Sequence, residues 1–264
     1  MKALSQQESV LSLIQLRNTP GEASILDQAF AYLPPSKQQK LRRYRVKQSY
    51  YQSLVGEVAV RVYAILSLKI ANDKLKFRAN EYGKPMLVND ERFQFNISHS
   101  GEWVACVVGL GSGAAGVDIE AVKPLDLSIA ESFCSPQEMA CLQTLTSSKE
   151  QLSYLYDLWT LKESFIKADG RGLSLPIQLI EFQLSREEIC CHFNGEVQNN
   201  RRFRRYPFST NGTDFILSLC CTTSFLPREI TRFAAEEVAE HFIELAEGSK
   251  IPDKSSTAIP TYFS

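Results

Sequence analysis

The chain has 264 residues, 44% hydrophobic and 22% charged, with a formal net charge of −1 at pH 7. That is the composition of one large globular domain or two half-sized ones. The near-neutral balance gives no long-range field for nucleic acid, and no apolar run approaches a membrane span. Seven cysteines, an odd number with two adjacent pairs (Cys190-Cys191 and Cys220-Cys221) and no C-x-x-C, suit neither a disulfide framework nor a zinc site. Reduced thiols and a cytoplasmic setting are therefore expected. The opening "MKALSQQESVLSLIQL" has one lysine and an apolar pattern broken by Gln, Glu and Ser, which does not read as a secretory signal.

In chain order, residues 36 to 71 carry helical periodicity, with Leu54, Val58, Val62 and Ile65 on one stripe. This predicts one long amphipathic helix behind a Ser36 N-cap. "KLKFRANEYGKPML" predicts a strand ending in a Tyr-Gly-Lys-Pro turn, and "FQFNISHSGEWVACVVG" two strands joined near Ser100-Gly101. The second half repeats the order loosely. "LSIAESFCSPQEMACLQTL" predicts short helices, the second starting near Ser135-Pro136. "LSYLYDLWTLKESFIKADG" predicts a strong helix closed by Gly170, then "IQLIEFQL", "RRFRRYPF" and "DFILSLCCTT" read as strands. Cys220 and Cys221 are expected to act there as small hydrophobes. "PREITRFAAEEVAEHFIELAEGSK" predicts a short strand and a helix over about 234–247, and a loose Pro- and Ser-bearing tail follows.

Basic residues cluster in "KQQKLRRYRVK" (37 to 47) and "RRFRRY" (201 to 206), and such runs are usually solvated faces. The second predicts an edge strand whose arginines keep it from pairing with another chain. RNA binding is the non-enzymatic alternative for it.

Three stretches carry chemistry. In "GVDIE" (116 to 120), strand alternation sends Val117 and Ile119 to one face and Asp118 and Glu120 to the other. The two acids are either a solvated strand end or two hard oxygen ligands awaiting a third. In "LWTLKESFIKADGRGLSLP", Trp159, Glu163 and Lys167 fall at i, i+4 and i+8 on one helix face with Lys162 beside them. A surface ion pair would explain Glu163 and Lys167, but the tryptophan on the same stripe implies partial burial and so a candidate site. In "FNISHSGEWV", Ser98 and His99 point to opposite faces of a regular strand. That disfavours a nucleophile pair and suits an anion-binding corner of backbone N–H groups, hydroxyls and imidazole. Lys84 in "EYGKP" adds a turn cation. Together these parts ask for a phosphorylated substrate and a divalent cation between it and the carboxylates.

"NISHSGEWV", "GVDIE" and "WTLKESFIKADGRGLSLP", in this order and spacing, closely resemble the 4′-phosphopantetheinyl transferases of the surfactin-synthetase-activating type. "EYGKP" and "LVGE" add to a resemblance that spans roughly residues 30 to 230. It implies an α+β fold of two pseudo-symmetric halves, each a small antiparallel sheet packed on a long helix, with coenzyme A in the cleft between them. The expected division is residues 1–115, 116–232 and a C-terminal extension, 233–264.

The resemblance also implies the reaction and its residues. The 4′-phosphopantetheine arm of coenzyme A passes to a serine of apo acyl or peptidyl carrier proteins, and adenosine 3′,5′-bisphosphate leaves. Such carriers serve fatty-acid, polyketide or peptide synthesis, and the fusion of two halves implies a working monomer. Asp118, Glu120 and Glu163 fall on the metal-binding carboxylates, which hold Mg²⁺, with Mn²⁺ able to replace it. Lys167 falls on the lysine that contacts the diphosphate, and Lys162 precedes the metal-binding glutamate as in the family. Ser98 and His99 match the phosphate-contacting corner, Lys84 and Pro85 the turn flanking the adenine, and Lys37 and Lys40 the lysines reaching the 3′-phosphate. Gln52 stands where the family pattern leads one to expect arginine. Glu163 is the first choice as base for the serine proton, with Glu120 the alternative. Leu125, Leu127, Ile129 and Phe133 are the candidate carrier dock. A diphosphate-processing nucleotide hydrolase and a non-catalytic coenzyme A or carrier-binding module are the competing readings.

Overall fold

The computed structural model describes residues 1–5, 8–111, 113–185, 188–222, 226–227 and 229–248, so the expected loose tail lies outside the described residues. The first half contains β1 (Ser9–Gln15), α1 (Pro20–Ala31), α2 (Pro35–Leu41) and α3 (Lys47–Leu68). The hairpin of β2 (Phe77–Ala79) and β3 (Pro85–Leu87) follows, then β4 (Phe93–Ser100) and β5 (Trp103–Leu110). The second half contains β6 (Ala115–Ala121), α4 (Pro136–Thr144), α5 (Ser148–Asp169), β7 (Ile180–Leu184), β8 (Ile189–Phe193), β9 (Glu196–Val197), β10 (Arg201–Thr210) and β11 (Thr213–Thr222). The chain then returns to the first half with β12 (Ile230–Ala234) and α6 (Ala235–Ala246).

One sheet has the order β12-β1-β5-β4 and the other β10-β11-β6; smaller sheets are β2-β3 and β7-β8-β9. The pairings are antiparallel except that β12 runs parallel to β1. The two main sheets pack face to face through residues such as Leu11, Leu13, Val107, Val117, Ile119 and Leu217. The long helix α3, with α1 and α6, covers the outer face of the first sheet, and α5 covers the second. The expected α+β architecture of paired sheet-on-helix halves is the observed one.

Several elements differ from their sequence reading. The single long helix over 36–71 is two helices, separated at Arg42–Val46. This stretch stays exposed and has like charges with no carboxylate at helical spacing to offset them. The first of the two starts with Pro35 at its first position, so Ser36 lies inside the turn and does not cap it. β1 carries no strand signal in sequence because Val10 to Ile14 are buried on both faces, which erases the polar alternation of a half-exposed strand. The hairpin β8–β9 was also missed. All seven cysteines are free, and Cys220 and Cys221 are buried in β11 as the small hydrophobes expected there.

Candidate active site

The site is built where β6 is squeezed between β4 and α5. Val117 and Ile119 are fully buried between the sheets, so Asp118 and Glu120 turn toward α5, as strand alternation predicts. Gly116 lets the helix come close, because a Cβ there would overlap the Ser164 carbonyl oxygen and the Ala168 nitrogen. Beside Asp118 in the β6–β11 register lies Ser218, whose hydroxyl shares a buried 2.7 Å hydrogen bond with Thr160 of α5. Arg205 of the edge strand β10 pairs with Asp157 of the same helix. α5 therefore has little freedom to slide or rotate over the strand.

Between β6 and α5 a cavity of about 270 Å³ opens, faced by Ser98 and His99 of β4, Asp118 and Glu120 of β6, and Trp159, Glu163 and Lys167 of α5. The predicted helix stripe is thus one wall, and Ser98 and His99 form another. Trp159 is half-buried and packs edge-on against Phe133 at 5.3 Å. Lys167 Nζ donates to Asp118 Oδ1 at 2.6 Å and to Ser98 Oγ at 2.9 Å, and Ser98 Oγ itself donates to Asp118 Oδ1 at 2.8 Å. Ser100 Oγ donates to Glu120 Oε2 at 3.0 Å. Burial, then the neighbouring Asp118 carboxylate, raise the pKa values of both Glu120 and Glu163, with Lys167 partly offsetting the rise in each. Desolvation and then the Lys167 ammonium lower that of His99, which favours neutral imidazole.

The donor chemistry fits a hard divalent cation. Three carboxylates face one cavity with a single ammonium among them, and Asp118 Oδ2 is buried without a hydrogen-bond partner. Among the described residues, however, no group of three His, Cys, Asp or Glu side chains is arranged to hold a metal ion. The three acids are gathered at one cavity without closing around a common point.

The other expected site residues lie elsewhere. Lys162 is a correction: its side chain is fully buried, with Nζ 2.7 Å from Glu138 Oε2 and donating to the Phe133 carbonyl at 2.7 Å. It sits on the side of α5 that faces the second half's core, away from the cavity. Lys84 Nζ donates to the Ala168 carbonyl at 3.0 Å and caps the end of α5, while Pro85 is exposed and opens β3. Lys37 pairs with Glu57 at 2.8 Å and lies over the Phe77 ring; Lys40 is exposed. Gln52 is buried and donates to the Gly101 carbonyl at 2.7 Å, in the turn between β4 and β5. Of the four residues read as a carrier dock, Phe133 is buried, Leu125 and Leu127 are half-buried against the core, and Ile129 is exposed. Sequence reading gives Asn96 and Gly116 no part in the site and takes Ser100 only as a hydroxyl of the Ser98–Gly101 corner. The signal was present in the i, i+2, i+4 spacing of Asn96, Ser98 and Ser100, which puts all three on one strand face.

Comparison with known proteins agrees with this construction. Residues 114–220 match the 4′-phosphopantetheinyl transferase superfamily, and residues 19–109 match the family described as 4′-phosphopantetheinyl transferase, N-terminal. The 4′-phosphopantetheinyl transferase Sfp of Bacillus subtilis (strain 168) is 35% identical over 213 residues, 79% of this chain and 90% of Sfp. The transferase ffp of Bacillus subtilis is 35% identical over 215 residues, covering 80% and 91%. The transferase gsp of Aneurinibacillus migulanus is 44% identical over 141 residues, covering 53% and 57%. With both halves matched and 90% of Sfp covered, this chain belongs to the 4′-phosphopantetheinyl transferase family.

Proposed function

We propose that the protein transfers the 4′-phosphopantetheine arm of coenzyme A to a serine of apo acyl or peptidyl carrier proteins, releasing adenosine 3′,5′-bisphosphate. The observation that carries this reading is the meeting of Asp118, Glu120, Glu163, Lys167, Ser98 and His99 at one cavity between the halves of a chain of this family. Asp118, Glu120 and Glu163 would hold a divalent cation, Mg²⁺ with Mn²⁺ able to replace it, whose chemistry is to offset diphosphate charge.

In the transfer, the carrier serine oxygen forms a bond to the β-phosphorus as the bond from that phosphorus to the departing bisphosphate breaks. Glu163 is the base that receives the serine proton. Its side chain makes no hydrogen bond or ion pair among the described residues and faces the cavity. Lys167, now donating to Asp118 at 2.6 Å, offers its ammonium to the phosphates, and Ser98 and His99 receive phosphate oxygens. The free cysteines support a reducing, cytoplasmic setting, and two fused halves enclosing one cleft support a working monomer. Among the described residues no helix is long and apolar enough to cross a membrane.

One incubation tests the proposal: apo carrier protein, coenzyme A and Mg²⁺, read by mass spectrometry. One added phosphopantetheine on the carrier is expected. Free bisphosphate with an unmodified carrier would point to a hydrolase, and no change to a binding module.

A further inference from the structure

Resting on the transferase reading, we propose that Ser100 and Asn96 are positioning residues for the carboxylate strand, with Ser100 aiming Glu120 into the cavity. β4 and β6 are edge strands of different sheets and share no backbone ladder. In its place, β4 offers every second side chain to the free amides of β6. Asn96 Oδ1 accepts from Val117 N at 3.0 Å, Ser98 Oγ from Ile119 N at 3.4 Å, and Ser100 Oγ from Ala121 N at 3.0 Å.

The two serines do a second thing with the same oxygen. Ser98 donates its proton to Asp118 Oδ1, and Ser100 donates to Glu120 Oε2. A hydroxyl has one donor and two acceptor lone pairs, so one Oγ can satisfy both bonds. Each serine therefore fixes one carboxylate together with the amide of the residue after it. Asn96 stands at the Gly116 end of the seam, where there is no side chain to hold, and keeps the amide bond alone. The pitch of the seam is the pitch of the site: a slip of β6 along β4 would break all three amide bonds and both carboxylate bonds at once.

Ser98 also receives Lys167, so it belongs to the cavity wall. Ser100 and Asn96 do not face the cavity and act through β6. The bond from Ser100 is the one hydrogen bond Glu120 makes with a side chain among the described residues. Removing it frees the Glu120 carboxylate to turn away from Asp118 and Glu163. Groups that orient a metal ligand from behind are worth about 10- to 100-fold in metal affinity.

The test is Mn²⁺ binding by isothermal titration calorimetry to protein saturated with coenzyme A, for the wild type, Ser100→Ala, Ser100→Thr and Asn96→Leu. Ser100→Ala is expected to weaken Mn²⁺ binding about tenfold or more, and Ser100→Thr, which keeps donor and acceptor, to stay within about threefold of wild type. In steady-state carrier loading, Ser100→Ala should lower kcat while KM for coenzyme A moves less than about threefold. Asn96→Leu should weaken Mn²⁺ binding as well; if it fails to fold, the alanine and threonine pair at Ser100 decides alone. Wild-type affinity in Ser100→Ala, or a threonine variant no better than alanine, overturns the inference and leaves the transferase reading standing. A wild type that loads carrier without binding Mn²⁺ also overturns it, and one that does neither removes the transferase reading too.

Discussion

Two neighbouring residues of α5 meet opposite fates. A helix turns about 100° per residue, so Glu163 faces the cavity while Lys162 faces the core, where Glu138 holds it. Glu138 is itself fully engaged: its Oε2 accepts from Ser135 N at 2.7 Å and its Oε1 from Phe182 N at 2.8 Å. Lys162 therefore ties α5 to the start of α4 and to β7. Removing one member of a buried pair strands the other, at a cost of about 3–5 kcal/mol. Lys162→Met should lower stability by that order in denaturant unfolding, while KM for coenzyme A in the folded fraction stays near the wild-type value. A large rise in KM would return Lys162 to the substrate site. Glu163→Gln should behave in the opposite way. Stability should change little, carrier loading should fall by about 10²- to 10⁴-fold, and coenzyme A should still bind by calorimetry. Undiminished loading would remove Glu163 as the base. Sequence spacing was enough to put Glu163 and Lys167 on one stripe. It could not say which side of the stripe Lys162 joins, because the core that claims it comes from α4 and β7.

At the level of elements, α5 is the part on which the site depends most. It is pinned at three places: Thr160 and Asp157 at its middle toward β11 and β10, Gly116 of β6 against Ser164–Ala168, and a turn from the first half at its C-terminal end. That turn is "EYGKP". Asn80 Oδ1 accepts from the amides of Tyr82 and Lys84, which shapes the turn, and Asn80 Nδ2 donates to the Gly170 carbonyl at 2.9 Å. Gly170 has φ +89°, as a left-handed helix cap requires, and a Cβ there would also press on the Lys84 side chain.

The Gly116 approach and the Lys84 cap each have a measurable consequence. Gly116→Ala should cost about 1–3 kcal/mol by overpacking and reduce loading, because α5 must lift away from Asp118. Unchanged unfolding and activity would show that the approach is not tight. The second concerns Lys84, whose pKa is pushed down to about 8 by burial and then by Arg201. Between that value and the ordinary lysine value of 10.5 the unfolded chain binds more protons, so stability rises with pH across this window and is flat below it. Thermal unfolding followed from about pH 7.5 to 9.5 should show this rise in the wild type and its loss in Lys84→Met. Equal slopes in the two proteins would place Lys84 in solvent. The helix α5, its glycine cap and the turn were all legible in the sequence. Their mutual contact was not, since Asn80 and Gly170 carry no mark of one another in a linear pattern.

For the molecule as a whole, periodicity found the half-exposed strands and amphipathic helices, and the repeated order suggested paired halves. It missed β1 and the destination of the last helix for the same reason. Both are buried by partners distant in sequence, and local pattern does not report such partners. α6 sends Val238, Ala239 and Phe242 into the core shared with α1 and α3, and Phe242 is fully buried. Phe242→Ala should therefore cost about 3–5 kcal/mol, a loss measured by denaturant unfolding. A change under about 1 kcal/mol would make α6 a surface ornament.

The parallel pairing of β12 with β1 also sets an order of assembly. Leu11 finds Ile230, so β1 waits for a strand made only after the whole second half. Until then one border of the first sheet is an unpaired strand edge, open to any other extended chain. Pairing over so long a stretch is intrinsically slow. The whole second half, carrying Asp118, Glu120, Glu163 and Lys167, lies in the chain between these two strands, like a jewel held by a clasp that fastens only after that half has been made.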